Sequence, residues 1–190
     1  YADYKDLLGN PEIEAVGIAT PDFLHLEPCV AAAEAGKHIL VEKPLATNVQ
    51  DAEAILNAAR RNSVKLMVDF HNRWNPSCIV AKEAIENGEI GEPLYLYARL
   101  NNTKLSPTEF LTWASKSKVI WFLTVHTCDL ARWFFKDEVD RVYAVSRSKV
   151  LEKMGVKTPD LYTAIAEFRN GAVTNFESCW VVPNTIPGVG

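Results

Sequence analysis

Two kinds of apolar periodicity divide the chain shortly after residue 70. Before that point, short apolar runs of strand type alternate with longer stretches whose apolar residues recur at helical spacing. Residues 3–8 read as a helix end closed by Gly9-Asn10-Pro11. Glu14 to Ala19 is a strand, broken by Thr20-Pro21-Asp22. Asp22 is placed to cap a helix that runs to Ala35 and stops at Gly36. Lys37 to Glu42 form the next strand. Thr47 or Asn48 caps a second helix, with Ala52, Ile55, Leu56 and Ala59 on its apolar side and its end near Arg60-Arg61-Asn62. Lys65 to Phe70 is a third strand. Two successive βαβ units follow from this order, and right-handed crossovers turn them into a parallel, doubly wound sheet.

Beyond Phe70 the pattern changes. Asn75-Pro76 opens a helix to about Glu86, closed by Asn87-Gly88. Longer, alternating strands follow: Leu94–Leu100, Arg141–Ser148, Tyr162–Phe168 and Ala172–Trp180. Asn170-Gly171 between the last two is a hairpin signal. This half is predicted to be an α+β domain with a mostly antiparallel open sheet, helices on one face and the other face left to be covered. The predicted domains are 1–73 and 74–190.

Composition narrows the function. The chain has 190 residues, 48% hydrophobic, with a net charge of −4. A mildly acidic chain without a basic stripe argues against nucleic acid as a partner. The longest apolar run, around Val119–Leu123, is too short to cross a membrane. Cys29, Cys78, Cys128 and Cys179 are scattered with no Cys-x-x-Cys, which suits free thiols in a reducing cytoplasm. The sequence opens without a methionine and stops on Pro187-Gly188-Val189-Gly190, so a fragment is expected.

The chemistry starts at His38-Ile39-Leu40-Val41-Glu42-Lys43-Pro44, where an apolar strand ends in an acid, a base and a proline. Pro44 ends the strand and keeps Lys43 extended. In an open parallel sheet the carboxyl ends of the strands are where ligands bind. A dinucleotide site usually announces itself by Gly-x-Gly-x-x-Gly, yet the one Gly-x-Gly here is Gly188-Val189-Gly190. Either the sheet binds no dinucleotide, or its first half lies upstream of Tyr1.

Four motifs in order bear on that choice: Thr20-Pro21-Asp22-Phe23-Leu24-His25, Glu42-Lys43-Pro44-Leu45-Ala46, Phe70-His71-Asn72-Arg73-Trp74-Asn75-Pro76, and His126-x-x-Asp129-Leu130-x-Arg132-Trp133. Together they resemble the glucose–fructose oxidoreductase/inositol dehydrogenase (Gfo/Idh/MocA) family over nearly the whole chain. The resemblance implies a partial Rossmann domain over 1–73, its glycine-rich unit upstream, and a C-terminally incomplete substrate-binding and dimerisation domain over 74–190. It also implies NAD or NADP as cofactor, a sugar or polyol substrate, and a homo-oligomer (dimer or tetramer) formed through the open sheet.

Each site residue has a functional and a plain reading. By the resemblance, Lys43 sits beside the nicotinamide and contacts the substrate hydroxyl, where a lysine of lowered pKa can act as the proton relay; its alternative is a solvated turn lysine. By the resemblance, Glu42 lines the cofactor pocket and the Thr20-Pro21 turn touches the nicotinamide ribose. His25 is a candidate neutral imidazole near the cofactor, or an ordinary surface histidine. Arg73 suits a cofactor phosphate or polar substrate, or else an interdomain salt bridge. By the resemblance, His126 reaches the substrate, its alternative being a core or interface histidine; Asp129, three residues on, is spaced to orient its ring. No third ligand joins that pair, so no metal is expected. The commonest family pattern has an aspartate four residues before the histidine and a glycine two before it; here Phe122 and Thr124 stand there. Trp121 and Phe122 could line a sugar pocket or belong to the core. The reading is thus an NAD(P)-dependent oxidoreductase acting on CH–OH, this chain alone being inactive. The alternative is a non-catalytic sugar- or cofactor-binding relative.

Overall fold

The computed structural model describes residues 1–185; the Gly188-Val189-Gly190 motif lies outside them. The chain divides into two compact units, Tyr1–Phe70 and His71–Gly190.

The first unit runs α1 (Tyr4–Leu8), β1 (Ala15–Ile18), α2 (Leu26–Glu34), β2 (His38–Glu42), α3 (Val49–Arg61) and β3 (Leu66–Asp69). Its three strands are parallel in the order β1-β2-β3, with Ile18 level with Val41 and Glu42 level with Asp69. Their carboxyl ends therefore share one edge. Alternation along β2 buries Ile39 and Val41 against Cys29, Ala32 and Ala33 of α2 and Ile55 and Ala58 of α3. On α3 the buried stripe is Ile55, Ala58 and Ala59, whereas Leu56 turns 36% of its surface outward. One step of about 100° round the helix separates it from Ile55. Gly17, Leu40 and Met67, level with one another across the sheet, are exposed on its opposite face.

Asn48 caps α3, its side chain accepting from the Asp51 amide at 2.8 Å. Asp22 does not cap α2. It opens a separate 3-10 turn, Asp22–Leu24, its carboxylate accepting from the adjacent Phe23 amide, and α2 begins only after His25.

The second unit holds α4 (Pro76–Glu86), β4 (Tyr95–Thr103), α5 (Val125–Phe135), β5 (Val139–Arg147), β6 (Leu161–Phe168) and β7 (Val173–Val182). Strand order is β4-β7-β6-β5; β5/β6 and β6/β7 are antiparallel, whereas β4 joins β7 in parallel. Gly171, at φ +89°, makes the β6–β7 turn that Asn-Gly predicts. On β7, Thr174, Phe176, Ser178 and Trp180 alternate inward. Phe176 meets Ala131 and Phe135 of α5, so α5 covers that face. Tyr97, Asn175, Ile165 and Tyr143 are level across the other face, and Tyr97, Ile165 and Tyr143 are exposed. A separate cluster packs Trp180 with Val119, Leu123 and Leu151.

Candidate functional site

Parallel pairing gathers the polar residues of the first unit at one edge. The Thr20-Pro21 turn leaves β1 there, and Glu42 and Lys43 leave β2 one register step further on. Thr20 is exposed; Pro21, Glu42 and Lys43 are half-buried. Burial pushes the Lys43 ammonium below the ordinary lysine range, and the carboxylates of Glu42 and Asp22 oppose it. Lys43 is therefore more readily neutral than a solvated turn lysine. Asp22, 5% exposed, is a neighbour the sequence disguised as a helix cap.

His25, read in the sequence as a candidate near the cofactor or a surface histidine, is not on the surface. It is 1% exposed, and its ring nitrogens face inward: Nδ1 lies 2.7 Å from the Pro44 carbonyl oxygen and Nε2 3.0 Å from that of Thr20. The ring bridges the turns that follow β1 and β2, with no polar atom left to offer a ligand.

In the second unit His126 is buried on α5, and the exposed His71 meets it edge-on with ring centroids 4.6 Å apart. Asp129, also buried, turns to another partner. Arg73 donates to it through Nε at 2.7 Å and Nη2 at 2.6 Å, engaging both carboxylate oxygens. Asp129 thus fixes Arg73 where the sequence placed it as the orienter of His126. Fork geometry explains the preference: two parallel, charge-assisted bonds outweigh one bond to a ring nitrogen. The bridge lies within one unit, since Arg73 and Asp129 both belong to the second. The Arg73 guanidinium also stands 5.6 Å from the Trp133 ring.

A π-helical turn, Ile120–Thr124, leads into α5. Phe122 in that turn packs against Trp113 and Trp180 at 6.3 and 5.8 Å between centroids, in the core arrangement its plain reading foresaw. Trp121 is half-buried in the same turn, and the Thr124 hydroxyl donates to Ser178 at 2.8 Å. His71 was not singled out from the sequence as a neighbour of His126; its presence inside the Phe70–Pro76 motif was the available signal. Burial raises the thiol pKa of all four cysteines, Cys29 to about 12, which disfavours a thiolate nucleophile.

The chain thus joins a parallel sheet, with polar residues at its carboxyl edge, to a mixed sheet in the second unit. Family models make this arrangement specific. Residues 1–70 match the oxidoreductase family with NAD-binding Rossmann fold, and residues 79–187 match the GFO/IDH/MocA C-terminal domain. The chain belongs to the GFO/IDH/MocA family.

Among its relatives, myo-inositol 2-dehydrogenase of Thermotoga maritima is 30% identical over 91% of this chain and 52% of its own length. Levoglucosan dehydrogenase of Pseudarthrobacter phenanthrenivorans is 34% identical over 80% and 40%. A solved levoglucosan dehydrogenase in complex with NADH and levoglucosan superposes with a TM-score of 0.88 at 32% identity, covering 97% of this chain and 52% of that one. The chain spans about half the length of the curated relatives it matches.

Proposed function

We propose that the whole protein is an NAD(P)-dependent oxidoreductase that transfers a hydride between nicotinamide and a hydroxyl or carbonyl carbon of a sugar, polyol or related compound. The observation that carries this reading is Lys43, half-buried at the carboxyl edge of the parallel sheet with its ammonium disfavoured by burial. The edge fits a dinucleotide in its polar groups: the donors Thr20 and Lys43 and the acceptor Glu42 are open or partly open to solvent. Nicotinamide, when bound, supplies the hydride acceptor or donor. Thr20, Pro21 and Glu42 would line its pocket. Lys43 Nζ accepts the hydroxyl proton as the alcohol is oxidised and returns it in the reverse direction. His126 hydrogen-bonds the substrate hydroxyls, and Asp129 serves the site through Arg73. The bare row Gly17-Leu40-Met67 would be covered by the rest of a doubly wound cofactor domain.

The finer expectations belong to the same proposal. The open face bearing Tyr97, Tyr143 and Ile165 is a homo-oligomer interface, and four free thiols fit the cytoplasm. Among the described residues no helix is long and apolar enough to cross a membrane.

Lys43→Met in the intact protein tests the mechanism against a panel of sugars and polyols with NAD⁺ and NADP⁺. The expected loss in kcat is about 10²- to 10⁴-fold. Unchanged turnover would remove Lys43 from the chemistry. A second reading, a binding protein without catalysis, draws on Phe122, a core residue where the family pattern has an acid. Binding of a sugar without turnover of any panel member would favour it.

A further inference from the structure

His25 has no part in the proposed hydride chemistry, yet its ring bridges the two turns that matter most to it. Pro44 O and Thr20 O lie 2.7 Å and 3.0 Å from its two nitrogens. A carbonyl oxygen has lone pairs and no proton, so it can only accept. Each contact therefore needs an N–H on the nitrogen that faces it. A neutral imidazole carries one N–H and one lone pair, and would set that lone pair against an oxygen. In a site 1% exposed, water cannot readily relieve the mismatch.

We infer that His25 is held as a doubly protonated clamp between the Thr20 and Pro44 carbonyls, and that this clamp positions Lys43. The positioning follows from connectivity. Pro44 directly follows Lys43, so fixing its carbonyl fixes the direction in which the chain leaves the lysine. Thr20 opens the turn that carries Pro21 and Asp22, and Asp22 is one of the two carboxylates acting on Lys43. One ring thus ties together the turns that carry Lys43 and its acidic neighbours. The charged side chains carried on or beside the two bridged turns are Asp22, Glu42 and Lys43.

The catalytic consequence rests on the oxidoreductase reading; the protonation state rests on geometry alone. Nitrogen-15 NMR of the intact, histidine-labelled protein tests the latter directly. Through-bond assignment, checked by the signal lost in His25→Gln, separates His25 from the other three histidines. Both His25 nitrogens are expected to carry slowly exchanging protons at pH 7.5. One N–H beside one bare nitrogen would overturn the clamp, whether or not the variant folds.

Kinetics test the positioning. A glutamine amide donates from one end only, so His25→Gln keeps at most one carbonyl. Its kcat is expected to fall about 10- to 100-fold with KM for substrate and affinity for NADH unchanged. Wild-type kcat in the variant, or a loss confined to KM, would overturn the positioning role. If the wild type turned over no substrate, the oxidoreductase reading would fall, and the NMR result would still decide the clamp.

Discussion

Breaking the Arg73–Asp129 bridge distinguishes a structural ion pair from two groups held ready for a ligand. Two unit charges about 4 Å apart at an effective dielectric of about 20 attract by about 4 kcal/mol. The Asp129 side chain is 5% exposed, but that of Arg73 is 38% exposed. Solvent on the arginine side lowers the useful part to about 2–3 kcal/mol. Arg73→Met leaves a buried carboxylate without its cation and is expected to cost the second unit about 3 kcal/mol. Asp129→Asn should cost about 2 kcal/mol, and the double variant less than the sum, leaving a coupling of about 2 kcal/mol. Urea unfolding followed by tryptophan fluorescence reads this unit selectively, because Trp74, Trp113, Trp121, Trp133 and Trp180 all lie within it. A denaturation midpoint lowered by about 1.5–2 M is expected for Arg73→Met. Coupling below about 0.5 kcal/mol would refute the reasoning. The bridge would then behave as a surface pair, and Asp129 would be available to His126 after all.

Three further outcomes follow. Asp160, 3% exposed, accepts from the amides of Lys149, Val150 and Leu151; burial raises its pKa, but these bonds outweigh that and hold it below the usual carboxylate range. Asp160→Ala should cost about 3 kcal/mol at pH 7. A depressed folded pKa stabilises above the unfolded value, so the gap from wild type should close as pH falls below about 4; a gap constant to pH 2 contradicts the linkage. Phe122→Asp should destabilise by about 3 kcal/mol or more, because it puts a carboxylate between Trp113 and Trp180, and an unchanged melting temperature would show that the aromatic cluster is not a packed core. Iodoacetamide at pH 8 should modify Cys29 roughly a thousandfold more slowly than an ordinary thiol until urea is added; mass spectrometry of the labelled peptides decides this.

Strand and helix positions were legible because burial leaves a period. Alternation along Val173–Val182 and the Asn170-Gly171 turn show in the sequence as plainly as in the structure. The site was legible only in part. Lys43 could be placed because Pro44 and the parallel pairing fix the end of β2 without help from distant residues. Asp129 could not, because its partner Arg73 stands 56 positions earlier and helical spacing suggested the nearer His126. Asp22 misled for the opposite reason. It resembled a local helix cap, whereas it is buried in a separate turn at the end of β1.

The parallel union of β4 with β7 also sets an order of events during synthesis. Tyr97 and Glu177, hydrogen-bonded across that seam at 2.6 Å, are 80 positions apart. On the ribosome β4 emerges long before its neighbour, while β5, β6 and β7 can zip as successive antiparallel neighbours as soon as each appears. Strand β4 must therefore wait with its edge toward β7 unfilled until β7 arrives, a slow, long-range closure. Leu94, Tyr95 and Tyr97, exposed even once β4 has paired with β7, make that waiting strand prone to association between nascent chains.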